Sequence, residues 1–124
     1  MPAARRGGRC WRVEFDEAHF AEDLAHSSAA ARTAGGSERD EITKHGLAHE
    51  RLKRCEREGR DGTHLAGCGK IYIPEPDGPW GMVFDGRIDD EGRPYLACLA
   101  FGVRHPTGPG ALSVYQVASR CLNA

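Results

Sequence analysis

Residues 80–103 read WGMVFDGRIDDEGRPYLACLAFGV. Two apolar runs, 80–88 and 95–103, flank DDEGRP, a polar piece carrying Gly and Pro. Runs of this length, rich in Val, Phe, Tyr and Leu and bounded by turn residues, predict two antiparallel strands joined by a hairpin connection. A third run, KIYIP at 70–74, precedes them across the turn PEPDGP. Together they predict a three-strand antiparallel meander.

Upstream, CWRVEF at 10–15 alternates, with Trp11, Val13 and Phe15 on one side and Arg12 and Glu14 on the other. A period of two predicts a half-buried strand. Asp16 is placed to cap a helix over 17–32, whose Phe20 and Leu24 share a face. TAGGS predicts a break, with Ser37 capping a second helix over 38–58 that carries a stripe of Ile42, Ala48, Leu52 and Cys55, has Leu47 off to one side and stops at Gly59. Residues 59–69 predict a loop. Downstream, Ser113 is placed to cap a last helix whose buried face is Val114, Val117, Ala118 and Cys121. The order is β-α-α-β-β-β-α: an α+β fold, with a small, mostly antiparallel sheet, two helices packed on one face and a short C-terminal helix.

The 124 residues suit one domain over 10–124, preceded by an Ala/Arg/Gly-rich arm over 1–9 expected to be disordered. No apolar run approaches the ~20 residues needed to cross a bilayer, and no apolar segment of leader length follows the charged N-terminus. A soluble, cytoplasmic protein without membrane partners is expected. The formal net charge is −1, and neither half of the chain carries the basic excess usual in nucleic-acid binders. Five scattered cysteines form no C-x-x-C pair, so neither a disulfide framework nor a zinc knuckle is expected, and Cys98 and Cys121 read as small core residues. His45 and His49 are four apart on the predicted second helix, and His64 and Cys68 four apart in the loop, but HGLAH lacks the Glu of H-E-x-x-H. No metal or cofactor is expected.

The residues that carry chemistry cluster toward the C-terminus. Lys70 lies on a strand and WGMVF is a hairpin strand. The last strand ends in G-x-R (Gly102, Arg104), and a loop leads to V-Y-x-x-A-x-R-x-L (Val114, Tyr115, Ala118, Arg120, Leu122). Over roughly 68–122 this pattern resembles the RelE/ParE toxin superfamily of bacterial toxin–antitoxin systems, and the N-terminal half resembles it in element order. The resemblance implies a ribosome-dependent mRNA endonuclease, in which the 2′-hydroxyl attacks the scissile phosphate, or, in the ParE branch, a poison of DNA gyrase. It implies an antitoxin, the ribosome and mRNA as partners. Carried over by position, Lys70 matches a phosphate-binding Lys, Arg104 the Arg closing the last strand and Tyr115 the Tyr opening the final helix. Two positions depart from the pattern: Tyr72 stands where a second Lys is usual, and Gly81 where an Arg is.

The residue types suit the chemistry. A 2′-hydroxyl nucleophile must lose a proton and the leaving 5′ oxygen must gain one. Fixed cations stabilise the extra negative charge of the transition state. From local sequence alone, His105 is a candidate proton shuttle. Tyr72, Trp80, Arg87 and Arg120 are candidate RNA contacts, Trp80 by stacking. Each has a plainer reading: Lys70 as a solvated strand residue, Arg104 as a partner of an acidic neighbour, Tyr115 and Trp80 as packing aromatics. The alternative functions are a binding module of this fold that inhibits a protein such as DNA gyrase, or one recruited to small-molecule chemistry at His105 and Tyr115.

Overall fold

The computed structural model describes residues 9–59 and 62–123. Apart from Arg9, the arm expected over 1–9 lies outside the described residues. The strands, in chain order, are β1 (Cys10–Trp11), β2 (Val13–Glu14), β3 (Leu47–Ala48), β4 (Lys53–Arg54), β5 (Cys68–Ile73), β6 (Trp80–Ile88) and β7 (Pro94–Val103). The helices are α1 (Glu17–Ala25), α2 (Ala29–His45) and α3 (Val114–Leu122).

The fold is mixed α+β, built on the expected hairpin. β6 and β7 pair antiparallel from Trp80↔Val103 to Ile88↔Pro94. Asp89 closes their connection by accepting from the Glu91 and Arg93 N–H groups, both at 2.9 Å, and Gly92 takes the left-handed φ of +79° that the turn requires. β5 joins β6 antiparallel, β4 joins β5 antiparallel, and β2 lies parallel to β7, giving a five-stranded sheet in the order β2-β7-β6-β5-β4. β1 and β3 form a separate antiparallel pair, so the strand expected over 10–15 divides at Arg12 between two sheets.

Side-chain alternation separates two cores. Ile71, Ile73, Met82, Phe84, Leu96 and Phe101 meet Phe20, Ala31 and Ile42 of α1 and α2 on one face. Val83, Leu99 and Ala100 meet Val114 and Ala118 of α3 on the other, with Cys55, Leu65 and Cys68 alongside. The β6–β7 register shifts at Val83/Phe84, where Val83 pairs with Ala100 and Phe84 with Cys98. Leu99 is the inserted residue, and this bulge lets Leu99 and Ala100 both serve the α3 core.

The helices are corrected in two respects. TAGGS does not break the chain. The break comes earlier, after Ala25, and Ser28 caps α2 by accepting from Ala31 N–H at 3.2 Å. Gly35 lies inside α2 because the Phe101 ring packs against its backbone; a Cβ there would sit 2.6 Å from Phe101 Cζ. α2 ends at Gly46, whose φ of +78° no helix interior accepts, so 47–58 is not α-helical. It forms β3, a single 3₁₀ turn (His49–Arg51) and β4. The stripe expected there dissolves, Leu47 is fully buried instead, and His49 stacks on Trp11 with ring centroids 4.5 Å apart. Cys121, expected in the core, is exposed, whereas Cys55 and Cys68 are buried; burial pushes their thiols up to about 11 and about 12, so both stay protonated.

β2 pairs with β7 only as far as Glu14↔Ala97. Beyond that point α1 caps the β7 edge: His19 Nε2 donates to the Leu99 carbonyl at 2.9 Å, and the Phe101 N–H donates to Asp23 Oδ2 at 3.0 Å. Residues one helical turn apart share a face, so both reach this edge. Burial is the largest influence on Asp23 and raises its pKa above 3.8, with Glu22 adding to it, while the Phe101 N–H, His19 and His26 act against it. The folded protein therefore holds this proton more tightly than the unfolded chain, and stability from this group falls as pH rises through the interval just above 3.8. Asp23→Asn keeps an acceptor and removes the half-buried charge. It is expected to be more stable than wild type at neutral pH and to lose that advantage on acidification into the interval. Asp23→Ala orphans the Phe101 N–H, an expected cost of about 1–3 kcal/mol. Urea unfolding at neutral and mildly acidic pH checks both.

Candidate functional site

The same alternation that sends Ile71 and Ile73 toward α1 and α2 sends Lys70 and Tyr72 to the α3 side of the sheet. Arg104 follows β7 directly, and its N–H continues the ladder to the Pro79 carbonyl at 2.9 Å. Its side chain lies across Gly81, where a Cβ would come 3.2 Å from Arg104 Cγ. Gly81 is the register partner of Tyr72, so the guanidinium carbon comes to rest 3.7 Å from the Tyr72 ring centroid. Arg104 Nε donates to Tyr115 Oη at 3.2 Å, and Nη1 donates to the Gly78 carbonyl at 2.8 Å.

Tyr115 is set by its helix. Ser113 accepts from Gln116 N–H at 3.1 Å while the Gln116 side chain accepts from Ser113 N–H at 2.9 Å, and this reciprocal cap fixes the first turn of α3. The anchored turn holds the phenol over the sheet, with Lys70 Nζ 5.0 Å from its ring centroid. Lys70, Arg104, His105, Tyr115 and Gln116 line one open cleft of about 610 Å³, with Glu56 as a carboxylate in its lining. Among the described residues no carboxylate pairs with Lys70 or Arg104 at ion-pair distance. Arg104 Nη2 likewise has no protein hydrogen-bond partner among them, and is free to meet a ligand.

The structure thus brings together Lys70, Arg104, His105 and Tyr115, with Tyr72 beneath Arg104. It does not bring Trp80, Arg87 or Arg120 to them. Trp80 lies against the helix-side core, on the opposite face of the sheet. Arg87, toward the far end of β6, donates to Asp85 at 2.9 Å and lines a separate hollow with His19, Tyr95 and Cys121. Arg120 is exposed in the last turn of α3, about 140° around the helix from Tyr115. His45 and His49 are parted by Gly46 and share no helix face. Among the described residues no group of three or more His, Cys, Asp or Glu side chains is placed to hold a metal ion.

Two participants escape a linear reading. The Gly78 carbonyl steadies Arg104 from a turn that reads only as punctuation. Lys53, in a segment that reads as helix, lies on β4 directly opposite Lys70, with its Nζ 5.1 Å from the Tyr72 centroid. The arrangement can receive an anion: two cations and a phenol hydroxyl face one opening, and an oxyanion seated there meets fixed donors. Compared with known proteins, the chain matches no family model, no curated protein and no solved structure.

Proposed function

We propose that the protein is a RelE/ParE-like toxin of a toxin–antitoxin system that cleaves mRNA on the ribosome. The observation that carries this reading is the contact between Arg104 Nε and Tyr115 Oη at 3.2 Å, with Lys70 5.0 Å from the same ring, in an open cleft. Lys70 and Arg104 Nη2 hold the non-bridging oxygens of the scissile phosphate. Tyr115 reacts as the phenolate, its oxygen held by Arg104 Nε–H: it takes the 2′-hydroxyl proton and becomes the phenol as the bond from the 2′ oxygen to phosphorus forms. The bond to the 5′ oxygen breaks as His105, reacting as the imidazolium, gives its proton to that leaving oxygen, and a proton passed through solvent from Tyr115 to His105 restores both groups. The products are a 2′,3′-cyclic phosphate and a 5′-hydroxyl. A cognate antitoxin protein is the expected partner.

Tyr115→Phe removes the acceptor and leaves the ring that packs beside the α3 core. Added to a translation reaction, wild type is expected to cut mRNA and Tyr115→Phe to cut it at least ~10²-fold more slowly, with an unchanged melting temperature. Intact mRNA in the presence of wild type overturns the proposal. A second reading, a binding module of this fold that poisons a protein such as DNA gyrase, is favoured by the formal net charge of −1, which gives little general attraction to ribosomal RNA. Gyrase-dependent DNA breaks on induced expression, with mRNA intact, would select it.

A further inference from the structure

We infer that the cleft continues into a second anion subsite at Lys53, so that its ligand is an oligonucleotide engaged through two phosphates rather than a lone phosphate or a mononucleotide. The inference rests on the proposed function for the polynucleotide, and on the charge pattern around Tyr72 for the subsite.

Three cations converge on the Tyr72 ring: Arg104 Cζ at 3.7 Å, Lys53 Nζ at 5.1 Å and Lys70 Nζ at 5.8 Å from its centroid. Lys53 and Lys70 are direct partners across the antiparallel β4–β5 pair. Like charges placed opposite each other on a sheet face repel. Among the described residues one carboxylate lies within ion-pair distance of this trio: Glu75, 3.8 Å from Lys53 Nζ and 3.7 Å from Arg51 Nε, so its charge is shared with a fourth cation; Glu56 lines the cleft without pairing with any of the three. Arg51 has its own partner in Glu38, which accepts from Nη1 and Nη2 at 3.0 Å each. The positive charge at Tyr72 is thus left without full compensation inside the protein, and an external anion relieves it.

The geometry also separates two seats. Lys70 and Arg104 line the cleft with Tyr115, whereas Lys53 borders a neighbouring hollow with Arg54 and Arg57, and Cys55 lines both. The tyrosine face toward Arg104 is covered by the guanidinium at stacking distance, so Tyr72 acts as the platform that spaces the cations. A ligand that reaches both seats carries one phosphate to Lys70 and Arg104 and a second to Lys53.

The test is binding, by fluorescence anisotropy across a salt series, of a short single-stranded 2′-O-methyl oligonucleotide, which lacks the 2′-hydroxyl, and of a dinucleoside monophosphate of the same chemistry. Lys53→Gln is expected to weaken the oligonucleotide about fivefold and to lower the salt slope by about 0.7, while leaving the dinucleoside monophosphate unchanged. Lys53→Arg restores the affinity, and Lys70→Gln weakens both ligands. Lys44→Gln, an exposed change on α2, leaves both unchanged. An oligonucleotide affinity and slope in Lys53→Gln equal to wild type overturn the subsite, as does a wild type that binds no oligonucleotide. If the Lys53 dependence holds while mRNA stays intact in the translation reaction, the subsite stands and the nuclease reading falls.

Discussion

Arg104→Ala is expected to slow mRNA cleavage by about 10³-fold, the largest loss of any single substitution in the cleft. The guanidinium does three things at once: Nε fixes the Tyr115 oxygen, Nη1 ties the side chain to the Gly78 carbonyl, and Nη2, without a protein partner among the described residues, is left for a ligand in the cleft that Arg104 lines. Alanine removes the ligand donor and frees the phenol, so charge stabilisation and proton transfer fail together. Arg104→Lys is expected to recover less than about tenfold, because an ammonium has no planar fork with which to hold two protein oxygens and still present a third donor. Arg104→Ala also leaves the carbonyl of buried Gly78 without its partner, which costs about 1–3 kcal/mol. Single-turnover cleavage rates and denaturant midpoints measure the two effects separately. A cleavage rate within tenfold of wild type in Arg104→Ala would contradict this account of the cleft.

Gly35→Ala is expected to destabilise the fold by about 3 kcal/mol, while its neighbour Gly36→Ala stabilises it by up to about 1 kcal/mol. The contrast comes from packing alone. A Cβ on Gly35 would lie 2.6 to 3.0 Å from three atoms of the Phe101 ring, closer than real carbon contacts allow, whereas a Cβ on Gly36 meets nothing within 4 Å. Phe101 cannot easily move aside: its N–H is held by Asp23, and its ring is packed beside Phe20 with centroids 6.0 Å apart. The added methyl must lift α2 from β7 or push the ring off its rotamer. Gly36 lacks such a neighbour and shows only the ordinary helix preference for alanine. Equal effects of the two substitutions on the unfolding midpoint would show that the ring does not pack there.

These two glycines also mark where the sequence stopped being legible. TAGGS reads as punctuation, because the local signal of Gly-Gly favours a break and nothing nearby reveals that Phe101, more than sixty residues on, fills the space. The charged segment 38–58 offers a plausible apolar stripe, yet one positive φ at Gly46 ends the helix and turns the rest into short strands whose two-residue length leaves no detectable alternation. The meander at 70–103 and the capped helix after Ser113 were legible because their signals are local: apolar runs bounded by turn residues, a Gly-containing turn, and a Ser placed to cap the apolar face that follows it. The cleft inherits that split. Lys70, Arg104, His105 and Tyr115 belong to legible elements and lie together. Trp80 was misplaced by one step of strand alternation, and Lys53 was hidden because only the β4–β5 register puts it opposite Lys70. Gly81 reads in sequence as a missing side chain, and in space it is the gap that Arg104 fills.

The central claim is that Lys70, Arg104 and Tyr115 receive one anion together. Titration of the isotope-labelled protein with the 2′-O-methyl oligonucleotide, following the Arg104 Nε–H, the Lys70 ammonium and the Tyr115 ring by NMR, addresses it directly. All three signals are expected to shift along one saturation curve with a common Kd. Signals that stay still while residues elsewhere respond, or that shift with different affinities, would contradict it.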